Sequence, residues 1–192
     1  MARFVLYADD TNLFLSHKNP AELYNIAKSE LTKVFAWFNI NRLSINSKKS
    51  LFIFFHNNRS TLKNFPNQIK IDGTTILRTN SCKFLGVQIH ENLSWSHHVK
   101  EISSKISKQI GIISRIRHKL SVSHLIMLYN AFILPYLTYC VTIWGNSPAV
   151  VLNTLTILQK KVIRLITNSA FLAHTAPLFS KLNLLNVNQL NF

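Results

Sequence analysis

The spacing of apolar residues changes near residue 90, and this change predicts two parts with different architecture. Before residue 90, short β-prone runs alternate with polar turns, whereas later apolar residues recur at helical spacing. The first two runs, residues 3–7 and 11–15, flank Ala8-Asp9-Asp10 and predict a hairpin. Further strands are expected over residues 51–55, 69–71, 74–77 and 82–89, with Asp72-Gly73 as a tight turn.

Capping residues and apolar residues at helical spacing predict the helices. Asn19 can cap a helix that begins at Pro20, and an apolar stripe follows over residues 23–38. Beyond residue 90, helices are expected at about 95–118, 121–143, 150–168 and 175–190. The expected fold class is therefore α+β: residues 1–90 form a small antiparallel sheet with a packed helix, and residues 91–192 form an all-helical basic region.

The composition adds a strong positive charge to this picture. Lys and Arg total 22 against 7 acidic residues, a formal net charge of +15, and the basic residues are spread along the chain. Such a surplus favours a polyanionic partner, and the spread of basic residues favours a nucleic-acid backbone over the competing anionic membrane surface, so no membrane partner is expected. Cys82 and Cys140 lie far apart and are expected to be reduced, and no signal peptide follows Met1. We therefore expect an intracellular protein, nuclear or cytoplasmic, and not a secreted one.

Residues 125–144 carry no charge and are long enough to span a bilayer. They also contain Asn130, Pro135 and Thr138 and lie between basic amphipathic stretches. A buried helix pair bent at Pro135 is expected, and a transmembrane span is the less favoured alternative.

Tyr7-Ala8-Asp9-Asp10 is the chemically most informative segment. Adjacent carboxylates at a hairpin tip repel each other, and a divalent cation such as Mg²⁺ relieves that repulsion. Paired metal ions held in this way support nucleotidyl transfer. Aspartates also favour turns for purely local reasons, and the dipeptide alone favours that simpler interpretation.

The surrounding sequence favours the metal-binding interpretation of Asp9 and Asp10 over the simpler turn interpretation. Tyr7-Ala8-Asp9-Asp10-Thr11 resembles the (F/Y)ADDT box of non-LTR retrotransposon reverse transcriptases, and further elements of that family follow in the same order. They are Trp37 with Leu43-Ser44-Ile45-Asn46 and Lys48-Lys49; Phe84-Leu85-Gly86-Val87 with Leu93, Trp95 and His98; Leu128-Tyr129, Leu134-Pro135, Tyr139 and Trp144-Gly145; and Gln159-Lys160-Lys161 with Arg164. Jockey-like elements of animals are the most similar type.

The resemblance implies an RNA-directed DNA polymerase and a role for each matched residue. Residues 1–90 would be the rear of the polymerase palm, and residues 91–192 a thumb-like region. Two Mg²⁺ ions, an RNA template, a DNA primer and deoxynucleoside triphosphates would be its cofactors and partners. The implied catalytic and metal-binding residues are Asp9, as principal ligand, and Asp10; Tyr7 would lie beneath the primer end, Lys49 near the triphosphate, and Phe84, Leu85 and Gly86 in the primer grip.

Simpler roles remain open for several residues. Phe84 and Leu85 are equally compatible with a plain core position, and Trp95 and Trp144 are expected to pack rather than to stack on bases. His97 and His98 are expected to face solvent. The basic residues Lys160, Lys161 and Arg164 could form a merely solvated helix face, but the net charge favours phosphate contact.

The family also places fingers and a further metal-binding aspartate ahead of the acidic hairpin, whereas only six residues precede Tyr7. We therefore expect a fragment that is inactive alone. The alternative is a non-enzymatic nucleic-acid-binding protein derived from such an element, with salt-sensitive binding that does not need Asp9. A membrane-associated basic protein built on residues 125–144 is a third, weaker hypothesis.

Overall fold

The computed structural model describes residues 2–8, 10–56 and 65–190. Within these residues the chain is α+β, as the sequence predicts. The elements in chain order are β1 (Arg3–Tyr7), β2 (Asp10–Phe14), α1 (Pro20–Ile40), β3 (Leu51–Phe52), β4 (Gln68–Ile71), β5 (Thr74–Arg78), β6 (Ser81–Phe84), β7 (Val87–His90), α2 (Ser96–Ile116), α3 (Val122–Phe132), α4 (Leu134–Thr138), α5 (Val141–Trp144), α6 (Ala149–Ile166) and α7 (Ala176–Leu182). The chain divides into two compact units, Met1–Cys82 and Lys83–Phe192.

The first unit contains two small sheets rather than the single antiparallel sheet that was expected. Strands β1 and β2 form a separate antiparallel hairpin, and β5 lies between β4 and β3. Strand β3 is parallel to β5, because the antiparallel strand β4 returns the chain before β5 begins. It covers only Leu51–Phe52 of the predicted strand over residues 51–55.

Local signals fix the β4–β5 hairpin and helix α1. Asp72 and Gly73 both have positive φ (45° and 76°), as a two-residue hairpin turn requires, so the predicted turn is confirmed. The side chain of Asn19 accepts a hydrogen bond from the N–H of Ala21 at 2.9 Å and caps α1, as the sequence predicts. The apolar stripe of α1 packs on the sheet formed by β3, β5 and β4. The core of the unit consists of Phe35, Ile69, Ile71 and Ile76.

The second unit has one hydrophobic core, built mainly by α2, α3 and α6. Tyr129, Trp144, Leu155 and Ile163 lie at its centre, each with no measurable exposure. The predicted helices at 95–118 and 150–168 match α2 and α6 closely. Trp144 packs in this core and Trp95 packs against it, as expected for both.

Residues 125–144 form three pieces, where a helix pair was expected. The break before Pro135 is confirmed, since α3 ends at Phe132 and α4 begins at Leu134. A second break follows at Cys140, whose φ of 51° is left-handed, and α5 begins after it. In the described part of the chain, no helix has both the length and the apolar character that crossing a membrane requires.

The strand predicted over residues 82–89 is wrong. This segment is a hairpin, in which β6 and β7 pair across a turn at Leu85-Gly86. Leu85 has a φ of 44° and Gly86 a φ of 83°, so the chain reverses where an uninterrupted strand was expected. Gly86 tolerates this conformation, whereas Leu85 does so under strain.

Candidate active site and nucleic-acid interface

The acidic segment lies at the tip of the β1–β2 hairpin, as predicted. Tyr7 pairs with Asp10 as the last register pair, and Ala8 turns the chain with a φ of 51°. Asp9 lies outside the described residues. Directly opposed residues of a hairpin share a face, so the side chains of Tyr7 and Asp10 project on the same side. Both side chains are exposed.

Asp10 is the described carboxylate of the expected magnesium site. Its carboxylate makes no ion pair with any described Lys or Arg, so its oxygens remain available to a hard cation. No group of three or more His, Cys, Asp or Glu able to hold a metal ion occurs among the described residues. A carboxylate is a donor that Mg²⁺ prefers, and the magnesium site stays a prediction from the sequence.

Lys49 lies in a turn closed by Asn46, whose carbonyl oxygen accepts hydrogen bonds from the N–H groups of Lys49 and Ser50, both at 3.0 Å. The Lys49 side chain is exposed, and no hydrogen bond or ion pair joins it to the described part of the acidic hairpin. The expected position of Lys49 beside the triphosphate therefore stays a prediction.

Phe84, Leu85 and Gly86 form the tip of the β6–β7 hairpin, and Tyr139 braces it. The hydroxyl of Tyr139 donates a hydrogen bond to the carbonyl oxygen of Leu85 at 2.6 Å. Its ring lies against Gly86, where an added Cβ would be 3.3 Å from Tyr139 Cε1. Trp144 Nε1 in turn donates to the carbonyl oxygen of Tyr139 at 2.9 Å. Buried Trp144 therefore positions Tyr139, and Tyr139 in turn positions the tip of the hairpin.

The role of Tyr139 was not foreseen from the sequence. The sequence does contain a signal for the turn itself, because Gly86 lies between two β-prone runs, Cys82-Lys83-Phe84 and Val87-Gln88-Ile89. A tyrosine more than fifty residues away gives no local sign that it will contact that turn.

His98 is buried, and the expectation that it faces solvent is wrong. Its Nδ1 accepts a hydrogen bond from the N–H of Gln88 at 3.3 Å, and its ring meets Trp144 edge-on at 5.7 Å. Burial lowers the pKa of His98, with the Glu101 carboxylate opposing the shift. The reason is helical spacing, because His98 shares its face with Ile102 and Ile106. His97 is exposed, as expected, and stacks on His90 at 5.0 Å.

Three basic residues lie on one side of α6. Arg164 follows Lys160 by four positions and Lys161 by three, a spacing that places them on neighbouring turns of one face. Both lysines are exposed, whereas Arg164 is half-buried and donates from Nε to the carbonyl oxygen of Ala173 at 2.9 Å. Arg164 therefore also orders the loop after α6.

The amino-acid sequence is similar to polymerases of insect mobile elements. It is 30% identical to a probable RNA-directed DNA polymerase from transposon X-element of Drosophila melanogaster over 155 residues, which is 79% of this chain and 16% of that protein. It is 24% identical to the RNA-directed DNA polymerase from mobile element jockey of Drosophila funebris over 173 residues, covering 88% and 18%. A probable polymerase from transposon BS of Drosophila melanogaster is 24% identical over 191 residues, covering 98% and 21%.

The chain thus spans about a fifth of the length of these relatives. No protein-family model matches it, and no solved structure matches it.

Proposed function

Because this chain is a relative of the RNA-directed DNA polymerases of jockey-type mobile elements, we propose that it forms part of a reverse transcriptase. In this proposal the first unit is the rear of the palm and the second unit is the thumb. The reaction is the extension of a DNA primer by deoxynucleotides on an RNA template.

The acidic hairpin would be the catalytic part. Asp9 and Asp10 would hold Mg²⁺, which when bound activates the primer hydroxyl and stabilises the departing pyrophosphate. Tyr7, exposed beside Asp10, would support the primer end and the incoming nucleotide. Lys49 would approach the triphosphate. The open corner formed by Tyr7 and Asp10 supports these roles, since a primer terminus needs unobstructed access.

The second unit would grip the nucleic acid. Phe84, Leu85 and Gly86 would form the primer grip, and the Tyr139 ring, which packs where Gly86 lacks a side chain, would hold that tip in place. Lys160, Lys161 and Arg164 would contact backbone phosphates. This unit carries eleven Lys and Arg against two acidic residues, Glu91 and Glu101, a balance that suits a polyanion.

A single observation carries the proposal: an exposed carboxylate stands at the tip of the first hairpin in a chain that aligns along most of its length with polymerases. Primer extension on an RNA template, by the product of the reading frame that contains this chain, tests it. We expect Asp9→Asn to abolish Mg²⁺-dependent extension, with a rate loss of at least about a hundredfold.

Asp72→Asn is the matched control, because it removes a carboxylate from the turn of another hairpin at a φ that Asn tolerates. It should leave extension unchanged. Undiminished extension by the Asp9→Asn protein would exclude the proposed catalytic role.

The second candidate is a non-enzymatic nucleic-acid-binding protein. The observation that favours it is charge, because residues 102–192 contain nine Lys and Arg and no Asp or Glu. It predicts salt-sensitive binding without extension, unchanged by Asp9→Asn.

A further inference from the structure

The loop after α6 displays two large apolar side chains at the surface. Phe171 is 81% exposed and Leu172 is 85% exposed, and they are adjacent in sequence. Turn positions normally carry Gly, Asn, Asp, Ser or Pro, and exposed neighbouring apolar groups favour a contact with a partner. This pair therefore needs an explanation beyond the folding of the chain.

The loop is built to hold this conformation. The N–H of Ala173 donates to the carbonyl oxygen of Ala170 at 3.0 Å, which closes a turn with Phe171 and Leu172 at its two central positions. Arg164 Nε donates to the carbonyl oxygen of Ala173 at 2.9 Å, so α6 anchors the turn from below. We refer to residues 170–173 as the apolar turn.

Two further hydrogen bonds hold the residues that precede the apolar turn. The N–H of Ser169 donates to the carbonyl oxygen of Arg164 at 3.0 Å, and the hydroxyls of Ser169 and Thr167 lie 2.8 Å apart. The polar groups of the loop are thus directed back to α6, while the two apolar side chains are left outside.

The charge beside the apolar turn points to the partner. Arg164, which touches the turn, shares a helix face with Lys160 and Lys161, and residues 102–192 contain no acidic residue. A surface that combines phosphate-binding cations with exposed aromatic and aliphatic groups matches the way in which single strands are bound, with phosphates on basic side chains and nucleobases on aromatic rings. Paired bases inside a duplex are stacked and offer no free face, so the matching ligand is an unpaired base.

We propose that the apolar turn binds unpaired nucleobases, with Phe171 stacking on a base, Leu172 covering its edge, and Lys160, Lys161 and Arg164 neutralising the adjoining phosphates. The site rests on the proposed function only in that its partner is nucleic acid. It requires neither metal nor catalysis.

The test compares strands that differ only in their bases. The 192-residue chain is titrated, by fluorescence anisotropy, with a labelled single strand of about 12 nucleotides and with an abasic strand of equal length and charge. We expect the base-bearing strand to bind at least about fivefold more tightly, and Phe171→Ser combined with Leu172→Ser to remove that preference while affinity for the abasic strand stays the same.

Val150→Ser is the matched control. Val150 is 86% exposed at the other end of α6, so this variant also replaces a fully exposed apolar side chain. It should keep the wild-type preference for bases. Circular dichroism and thermal unfolding of all three proteins should coincide, since none of the three residues is buried.

Three results would overturn the proposal. They are equal wild-type affinity for the two strands, an undiminished preference for bases in the double variant, and a double variant whose affinity for the abasic strand falls as much as its affinity for the base-bearing strand. Primer extension is read separately: loss of the polymerase proposal leaves the base preference standing, and loss of the base preference leaves Asp9-dependent extension standing.

Discussion

Gly86 has both a positive φ and a crowded Cβ position, whereas Gly73 has only the first and Gly111 has neither. It has a φ of 83°, and a Cβ would lie 3.3 Å from Tyr139 Cε1. Gly73 has a comparable φ of 76° but open space around it, and Gly111 in α2 has open space at an ordinary helical position. The three sites therefore distinguish backbone strain from crowding by Tyr139.

We predict that Gly86→Ala lowers the free energy of unfolding by about 2–3 kcal/mol, since left-handed strain and the close contact add. Gly73→Ala should cost only the strain, about 1–2 kcal/mol. Gly111→Ala should stabilise the protein by about 0.5–1 kcal/mol, because it replaces a glycine inside a helix. Urea denaturation measures all three. A Gly86→Ala protein as stable as Gly73→Ala would show that the tyrosine yields at no cost.

His98 makes stability depend on pH. Its pKa in the folded protein lies below 6.5, chiefly because burial disfavours the charged ring. The unfolded chain therefore binds a proton first as the pH falls, so the stability that the neutral ring supports is present above 6.5 and is lost as the pH drops through the folded value.

We predict that His98→Gln makes the free energy of unfolding less pH-dependent between about pH 7.5 and about pH 5.5 than it is in the wild type. Unfolding by urea at the two pH values gives the comparison. His97→Gln, an exposed neighbour on the same helix, is the control and should retain the wild-type difference. Identical pH dependence in the wild type and His98→Gln would remove His98 as the cause.

At the scale of elements, one buried side chain joins α6 to α3 and to the C-terminal segment. Gln159 is 1% exposed, and its Nε2 donates to the hydroxyl oxygen of Tyr129 at 2.8 Å and to the carbonyl oxygen of Leu185 at 2.9 Å. Its Oε1 accepts from the N–H of Val187, also at 2.9 Å. Both ends of the amide are thus satisfied.

We predict that Gln159→Leu lowers the free energy of unfolding by about 3 kcal/mol, because it leaves backbone and hydroxyl groups buried without partners. Asn153→Leu on the exposed side of the same helix should change it by no more than about 0.5 kcal/mol. Hydrogen exchange should also rise over residues 184–190 in the Gln159→Leu protein. If exchange there is unchanged, Gln159 does not anchor the segment.

Elements with local signals could be predicted from the sequence, and those held by distant contacts could not. Helix α1 follows from the Asn19 cap, and the β4–β5 hairpin follows from Asp72-Gly73. The turn at Leu85 was missed because leucine does not favour a left-handed backbone, and its support comes from Tyr139. The acidic hairpin could be predicted because two β-prone runs flank its turn. The contact of Tyr139 with Leu85-Gly86 depends on tertiary structure and has no local signal.

For the whole molecule, charge differs between the two units. Met1–Cys82 has eleven Lys and Arg against five acidic residues, a difference of +6, whereas Lys83–Phe192 has eleven against two, a difference of +9. Nucleic-acid affinity that arises from phosphate contacts falls with salt, because binding releases counterions. The more basic second unit should therefore dominate the salt dependence.

We predict that replacing Lys160 and Lys161 together by Ala reduces the slope of log affinity against log salt concentration by about 2, because each lysine neutralises about one phosphate. Replacing Lys18 and Lys28, two exposed lysines of the first unit, changes the net charge equally and should leave the slope near its wild-type value. Fluorescence anisotropy at several salt concentrations measures each slope. Equal reductions in the two double variants would mean that net charge alone, and not the face of α6, sets the affinity.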